Sequence, residues 1–220
     1  MDFHVNPEIT EILPDFKIGI IHYNNITVSD SPQMLKGRLQ LFQEQLFFDM
    51  DDKELTDFPG LLEWRFAWKA LGSDPSRYRP SAEALYRRVR KQNYLAPVNS
   101  AIDMNSFLSP QYEIPLGLYD ASHIQGDVEI GLGTSADQYE GLNNRSNTLD
   151  NIIVTRDTLG AFGSPYVDSK RTAVTEKTTD AIHVFYLRPS MNRDNALQLL
   201  TAAGNMFTGI NGGEANLFVL

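Results

Sequence analysis

In the first half of the chain apolar residues fall at helical spacing; in the second they come in short runs cut by Gly and Asp. Leu35, Leu39, Phe42 and Leu46 recur at three and four residues, which predicts one helix over 32–48 with Pro32 in its first turn. Leu61, Trp64 and Trp68 repeat the spacing and predict a helix over 60–72 that buries both tryptophans. A third helix, 81–91, is expected to bury Ala84, Leu85 and Val89, and a short one, 98–108, has Val98, Ile102 and 104–107 on its apolar side, with Pro110 as its stop. Branched residues over 16–21 read as a strand, and 26–28 as a second, short one. Beyond Leu116 the runs 116–119, 128–132, 152–155, 159–162 and 181–187 predict strands. A last helix over 193–206, capped by Asn192, leads through Asn211-Gly212-Gly213 to a closing strand over 217–220. Residues 1–14 read as a poorly structured lead-in. The pattern as a whole points to one α+β (mixed) domain over 1–220, with helices packed on a curved mixed sheet or split barrel built largely from the second half.

Composition narrows the chemistry. A 220-residue chain with 42% apolar residues can bury a sizeable core. The absence of cysteine excludes disulfides, thiolate zinc sites and a cysteine nucleophile. His4, His22, His123 and His183 are scattered, so no metal site is expected. Gly160-Ala161-Phe162-Gly163 has too few glycines for a dinucleotide loop, no Walker lysine follows a glycine loop, and Gly-x-Ser-x-Gly is missing; no cofactor is expected. The start shows no signal peptide and no run nears the roughly 20 apolar residues of a membrane span, so a cytoplasmic setting without a membrane partner is expected. A net charge of -9 disfavours non-specific nucleic-acid binding, and no DNA partner is expected. Basic residues nevertheless cluster at Arg65, Lys69, Arg77, Arg79 and over Arg87, Arg88, Arg90 and Lys91. They form either a local RNA contact or a solvated helix face balanced by the acidic run 49–54.

Polar residues among apolar ones mark the candidate pocket. Asn99, Asp103, Asn105 and Ser106 sit at a helix start, with Asn99 and Asp103 four apart on one face. Asp120 either caps the next turn or holds an ammonium group. His123 is a general acid or base, or a solvent-facing turn histidine. The polar stretch 164–175, with Asp168, Arg171, Thr172 and Thr175, either presents backbone N–H groups to an oxyanion or is an ordinary loop tied by an Asp–Arg pair.

Ala101-Ile102-Asp103-Met104-Asn105-Ser106 followed by Ile114-Pro115-Leu116-Gly117-Leu118-Tyr119-Asp120 resembles the B3/B4 editing domain of the phenylalanyl-tRNA synthetase beta subunit, where Val-Val-Asp-Val-Thr-Asn precedes Gln-Pro-Met-His-Ala-Phe-Asp. Ile124-Gln125-Gly126-Asp127 and Gly160-Ala161-Phe162-Gly163 fit as well, and the upstream run from Glu63 to Arg88 is similar to freestanding B3/B4 proteins. The resemblance implies a trans-acting aminoacyl-tRNA deacylase. It assigns catalysis to Asn105, Ser106, Gly163 and Ser164, and substrate binding to Asn99, Asp103, Gly117, Asp120 and Phe185; of these, Asn99, Asn105, Gly117, Asp120, Gly163, Ser164 and Phe185 are expected around one cavity. RNA binding goes to Arg87, Arg88, Arg90 and Lys91. Gly117 stands where the family has histidine, Asn105 where it has threonine, and Phe185 where a glutamate reads the tyrosine hydroxyl. These changes imply a substrate other than a tyrosyl ester, with Phe185 excluding it. The alternative is a non-catalytic module that binds an amino acid, a small metabolite or RNA.

Overall fold

The computed structural model describes residues 1–220. The stretch expected to be a lead-in is ordered: β1 (Phe3–Val5) runs parallel to a later strand and α1 (Pro7–Ile12) is capped by Asn6, whose side chain accepts from Glu8 N–H. β2 (Ile18–Asn24) takes in Asn24, and 26–28 is not a strand although Ile26 and Val28 are buried. α2 (Gln33–Asp49), α3 (Pro59–Ala70) and α4 (Ser81–Arg90) lie where the apolar periodicity puts them. Trp64 and Trp68 are 1% and 0% exposed and meet edge to face, so they are core residues.

Two helices depart from the expected reading. α4 turns Ala82, Glu83, Tyr86 and Val89 inward, leaving Ala84 exposed and Leu85 half-buried. Its inward face admits Glu83 because arginines neutralise the carboxylate. α5 (Ser100–Tyr112) runs through Pro110 and ends on Glu113, whose φ of 57° places it in the left-handed region. Pro110 has no N–H to give to the helical ladder, and the helix reaches its C-cap, Glu113, three residues further on. The Pro110 carbonyl accepts from the Tyr86 hydroxyl and from Glu113 N–H. Val98 lies before the helix and is exposed.

The remaining elements are β3 (Leu116–Asp120), β4 (Val128–Leu132), β5 (Gln138–Glu140), β6 (Ser146–Thr148), β7 (Ile153–Asp157), β8 (Gly160–Gly163), β9 (Ala181–Tyr186), α6 (Arg193–Asn211) and β10 (Glu214–Val219). The architecture is α+β, with its strands divided between two four-stranded sheets and a small hairpin, β5–β6, that the apolar pattern does not reveal. One sheet has the order β10-β2-β9-β3 and is antiparallel; the other, β1-β4-β7-β8, is mixed through the parallel β1–β4 pair. Strand alternation gives the first sheet two distinct faces. His183 and Phe185 of β9 look toward α5 and α6, where His183 meets Phe207 and Gly19 of β2 meets Leu200. Tyr186 of β9 and Tyr119 of β3 look toward the second sheet, against Thr155 and Phe162. A continuous cluster of 41 buried residues reaches from Ile9 to Val219, so both chain ends belong to one core. No helix is long and apolar enough to cross a membrane.

Candidate functional site

The antiparallel sheet divides the residues expected to share a pocket. On its helical face His183 Nε2–H donates to Asn105 Oδ1 at 3.0 Å, and the Tyr23 hydroxyl donates to Nδ1 at 3.3 Å. An Oδ1 acceptor puts a proton on Nε2, and the neutral ring then leaves Nδ1 to accept from Tyr23. Complete burial pushes the His183 pKa down to about 3, so the ring stays neutral over the physiological range. Phe185 is fully buried beside it, ring centroids 4.4 Å apart. Asn105 and Phe185 are thus near neighbours of one buried histidine.

Gly117, Gly163 and Ser164 lie on the other face, converging on Tyr119. A Cβ on either glycine would stand less than 3.0 Å from the Tyr119 hydroxyl and ring. The space that two glycines leave open is therefore filled by the chain's own phenol. Its hydroxyl donates to Asp168 Oδ1 at 2.7 Å, and Ser164 N–H approaches the same oxygen at 3.4 Å. The Ser164 hydroxyl donates to Val167 O at 2.9 Å and receives a bond from the Tyr139 hydroxyl at 3.2 Å. Thr155 and Tyr186 hydroxyls pair at 2.8 Å in the same layer. Although residue Asp168 keeps some exposure, desolvation of its carboxyl dominates and pushes its pKa up to about 7 against the opposing hydrogen bonds from Tyr119 and Ser164. Burial also raises the pKa of Tyr119 and Tyr139, so both stay protonated donors.

A direct consequence concerns Gly117. Gly117→Ala should destabilise the protein by about 1–3 kcal/mol in urea unfolding, because the added methyl overlaps Tyr119. Adding Tyr119→Phe should recover only part of the loss, since a ring carbon remains too close. A Gly117→Ala protein within about 0.5 kcal/mol of wild type would show that the phenol moves aside freely.

The other expected site residues hold backbone together. Asn99 is the N-cap of α5, accepting from Ala101 and Ile102 N–H at 3.1 and 2.9 Å. Asp103 accepts from Val98 N–H at 2.9 Å and from the Ser31 hydroxyl at 2.5 Å. Asp120 accepts from Ser122 N–H and hydroxyl at 2.9 and 2.6 Å and from the Thr178 hydroxyl at 2.6 Å. Its burial alone would raise its pKa, but these bonds outweigh burial and lower it. His123 faces solvent. Ser106 is half-buried on α5. Arg171 pairs with Asp157 through two bonds of 2.9 and 3.0 Å, not with Asp168. The 164–175 loop is therefore not tied by an Asp168–Arg171 pair.

Comparison with known proteins shows the family. Residues 63–208 match the B3/4 domain model. The chain belongs to the B3/4 domain family. Over 213 residues it is 30% identical to the uncharacterized protein YhzB of Bacillus subtilis (strain 168), covering 97% of this chain and 96% of that protein. It is also 30% identical over 105 residues to the phenylalanine–tRNA ligase beta subunit of Nitrobacter winogradskyi, a match of 47% of this chain and 13% of the subunit. An N-terminal fragment of the phenylalanyl-tRNA synthetase beta subunit from Pyrococcus horikoshii superposes with a TM-score of 0.48 at 12% identity, covering 97% of this chain and 50% of the fragment.

In this B3/4 domain the seven residues expected around one cavity, Asn99, Asn105, Gly117, Asp120, Gly163, Ser164 and Phe185, do not enclose one. The Phe185 side chain and Asn105 lie on one face of the sheet that holds β9 and β3, while the open Cβ positions of Gly117 and Gly163 face Tyr119 on the other. The largest groove, about 720 Å³, lies elsewhere, among Met34, Arg38, Leu41, Phe42, Phe107 and Met206. A smaller one of about 370 Å³ opens at Tyr139, Ala161, Ser169 and Arg171, beside the Asp168 network. Asp168 stood in the sequence only as a loop carboxylate, and Tyr119 only as a family aromatic. The i, i+2 relation of Gly117 to Tyr119 was the available signal, because it puts both on one strand face. Chemically the network offers a carboxyl held by neutral donors and able to exchange a proton near pH 7.

Proposed function

We propose that this chain hydrolyses an aminoacyl ester on tRNA in trans, with Asp168 as the proton acceptor. The observation that carries the reading is Asp168 itself: a carboxyl with its pKa pushed up to about 7, oriented by the Tyr119 hydroxyl and set beside the Gly163–Ser164 backbone. Membership of the B3/4 family, and the match to a phenylalanine–tRNA ligase beta subunit, support ester chemistry on tRNA. Water attacks the acyl carbon and gives its proton to the Asp168 carboxylate. The carbonyl oxygen becomes an oxyanion in the tetrahedral intermediate. The bond to the ribose oxygen then breaks, and that oxygen takes the proton back from Asp168, releasing amino acid and tRNA. An aminoacyl ester is already reactive, so placement of water and a matched base suffices.

Tyr119 sets the substrate class. Its phenol lies against Gly117 and Gly163 and donates to Asp168, leaving no room there for a second phenol. The acyl group is therefore small or apolar, not tyrosyl. A deacylation screen over tRNAs carrying each amino acid is expected to show hydrolysis of one such ester and none of tyrosine on phenylalanine tRNA. Failure to accelerate the loss of any ester over the uncatalysed rate would overturn the reading. The 0% exposure of Tyr119 favours a second one, a binding module that has sealed its reactive space. It predicts saturable binding of a free amino acid by calorimetry with no ester cleaved.

A further inference from the structure

We infer that Arg65, Arg79 and Arg87, gathered on the buried carboxylate of Glu83, form a phosphodiester site that seats an RNA strand beside the Ser164 loop. This rests on the reading that the substrate is an RNA ester. Glu83 is 1% exposed on the inward face of α4. Arg65 of α3 reaches both of its oxygens at 3.0 and 2.9 Å, Arg87 donates to one at 2.8 Å, and Arg79 Nε lies 3.6 Å away. Neutralising one carboxylate needs one guanidinium. Three leave a surplus of two positive charges, fixed in place, on a chain whose net charge is -9.

The surplus has an outlet. Side-chain exposures of 37% for Arg79 and 44% for Arg87 leave both side chains partly open to solvent, although one Arg79 Nη donates to Ser76 O at 3.3 Å, and a planar guanidinium can grip paired phosphate oxygens. α4 starts here with no side-chain cap, adding the positive end of its dipole.

Position ties the cluster to the candidate site. Ser81 N–H donates to Pro165 O at 2.7 Å, one residue beyond Ser164, and Tyr78 packs edge-on against Tyr166 with ring centroids 5.6 Å apart. A strand held by the arginines would have its next nucleotides running along the 164–166 loop. This relocates the RNA contact expected over 87–91. Arg88 is tied to Asn93 O and Arg90 to Glu54, while Lys91 is exposed beyond the end of α4, so only Arg87 of that set joins the cluster.

The test is fluorescence anisotropy of a labelled uncharged tRNA, and of a short single-stranded oligoribonucleotide, with the full chain over a salt series. Arg79→Gln/Arg87→Gln keeps Arg65 to neutralise Glu83 and should leave the thermal melt near wild type. It should weaken both RNAs about tenfold or more and flatten the log Kd against log salt slope by about 1–2. The charge-matched control Lys177→Gln/Arg193→Gln should change neither. Equal affinity and slope in wild type and the arginine double variant would overturn the site, as would wild type that binds neither RNA. Inorganic phosphate competing as strongly as the oligoribonucleotide would make it a small-anion site and overturn the RNA assignment. Because binding is read on uncharged RNA, the two ideas fail separately. RNA affinity lost in the variant while wild type cleaves no ester leaves the site and removes the deacylase. Ester hydrolysis with unaltered RNA affinity in the variant does the reverse.

Discussion

Phe185→Glu is expected to give a protein that is largely unfolded, not one with a widened substrate range. Phe185 is 0% exposed on β9, paired with Gly19 and Leu116 on its two flanks, and faces His183 and the helices. Removing the ring costs about 3–5 kcal/mol, as for other buried aromatics. Burying a carboxylate without a partner adds several kcal/mol more, or forces it to stay protonated. His183 offers no rescue, since burial keeps it neutral and its two nitrogens are already bonded to Asn105 and Tyr23. The combined loss approaches the whole of a typical domain's stability, about 5–15 kcal/mol. In the proposed reading, the exclusion of a tyrosyl group falls to Tyr119 on the opposite face of the sheet. Circular dichroism and urea unfolding decide the matter: a native spectrum with a midpoint close to wild type would mean that Phe185 lines an accessible space after all.

Asp168→Asn carries the second large effect, in two independent readouts. Asparagine can still accept from the Tyr119 hydroxyl but cannot take a proton, so ester hydrolysis should fall about 10²–10⁴-fold with little change in fold. The stability readout follows from proton linkage. Asp168 has a folded pKa of about 7 against an ordinary 3.8, so folding is penalised increasingly as pH rises from 3.8 to 7, and fully above that. His183 works the other way, with a folded pKa of about 3 against 6.5. Its contribution is complete above 6.5 and is lost as pH falls from there toward 3. Between about pH 4 and 6.5 the two slopes oppose each other in wild type. The lowered carboxyls Asp120 and Asp157 lose their contributions only as pH falls below 3.8, outside that window. Asp168→Asn removes one side of the balance. Its stability should climb with pH through the window, by at most about 1.4 kcal/mol per unit, and exceed that of wild type at pH 8. Parallel stability curves for the two proteins would show that Asp168 titrates as an ordinary surface carboxyl, and an unchanged hydrolysis rate would remove it from the chemistry.

Local pattern was a good guide wherever one element decides its own face. The stripes of α2 and α3, the buried tryptophans, the runs that became β3, β4 and β9, and the Asn192 cap of α6, which accepts from Asn195 N–H, all follow from spacing and capping chemistry. The family motifs were equally legible, because residue types at fixed intervals need no coordinates. What escaped depended on partners distant in sequence. β1 is only Phe3–Val5 and becomes a strand by pairing with Val128–Ile130. α4 could turn Glu83 inward only because Arg65, Arg79 and Arg87 meet there. The expected cavity failed for the same reason. Position along a strand says which residues share a face, so Gly117 and Tyr119 could have been joined from sequence. No interval, however, reveals that Gly117 and Phe185 face opposite sides of one sheet, that Asp168 meets Tyr119 across 49 residues, or that Asn105 holds His183 across 78. By itself the sequence determined the helices, the core strands and the family, since these rest on short-range periodicity and motif spacing. Only the tertiary structure decided which polar groups meet, because desolvation and hydrogen bonding act between whatever groups the folded chain brings within about 3 Å of each other.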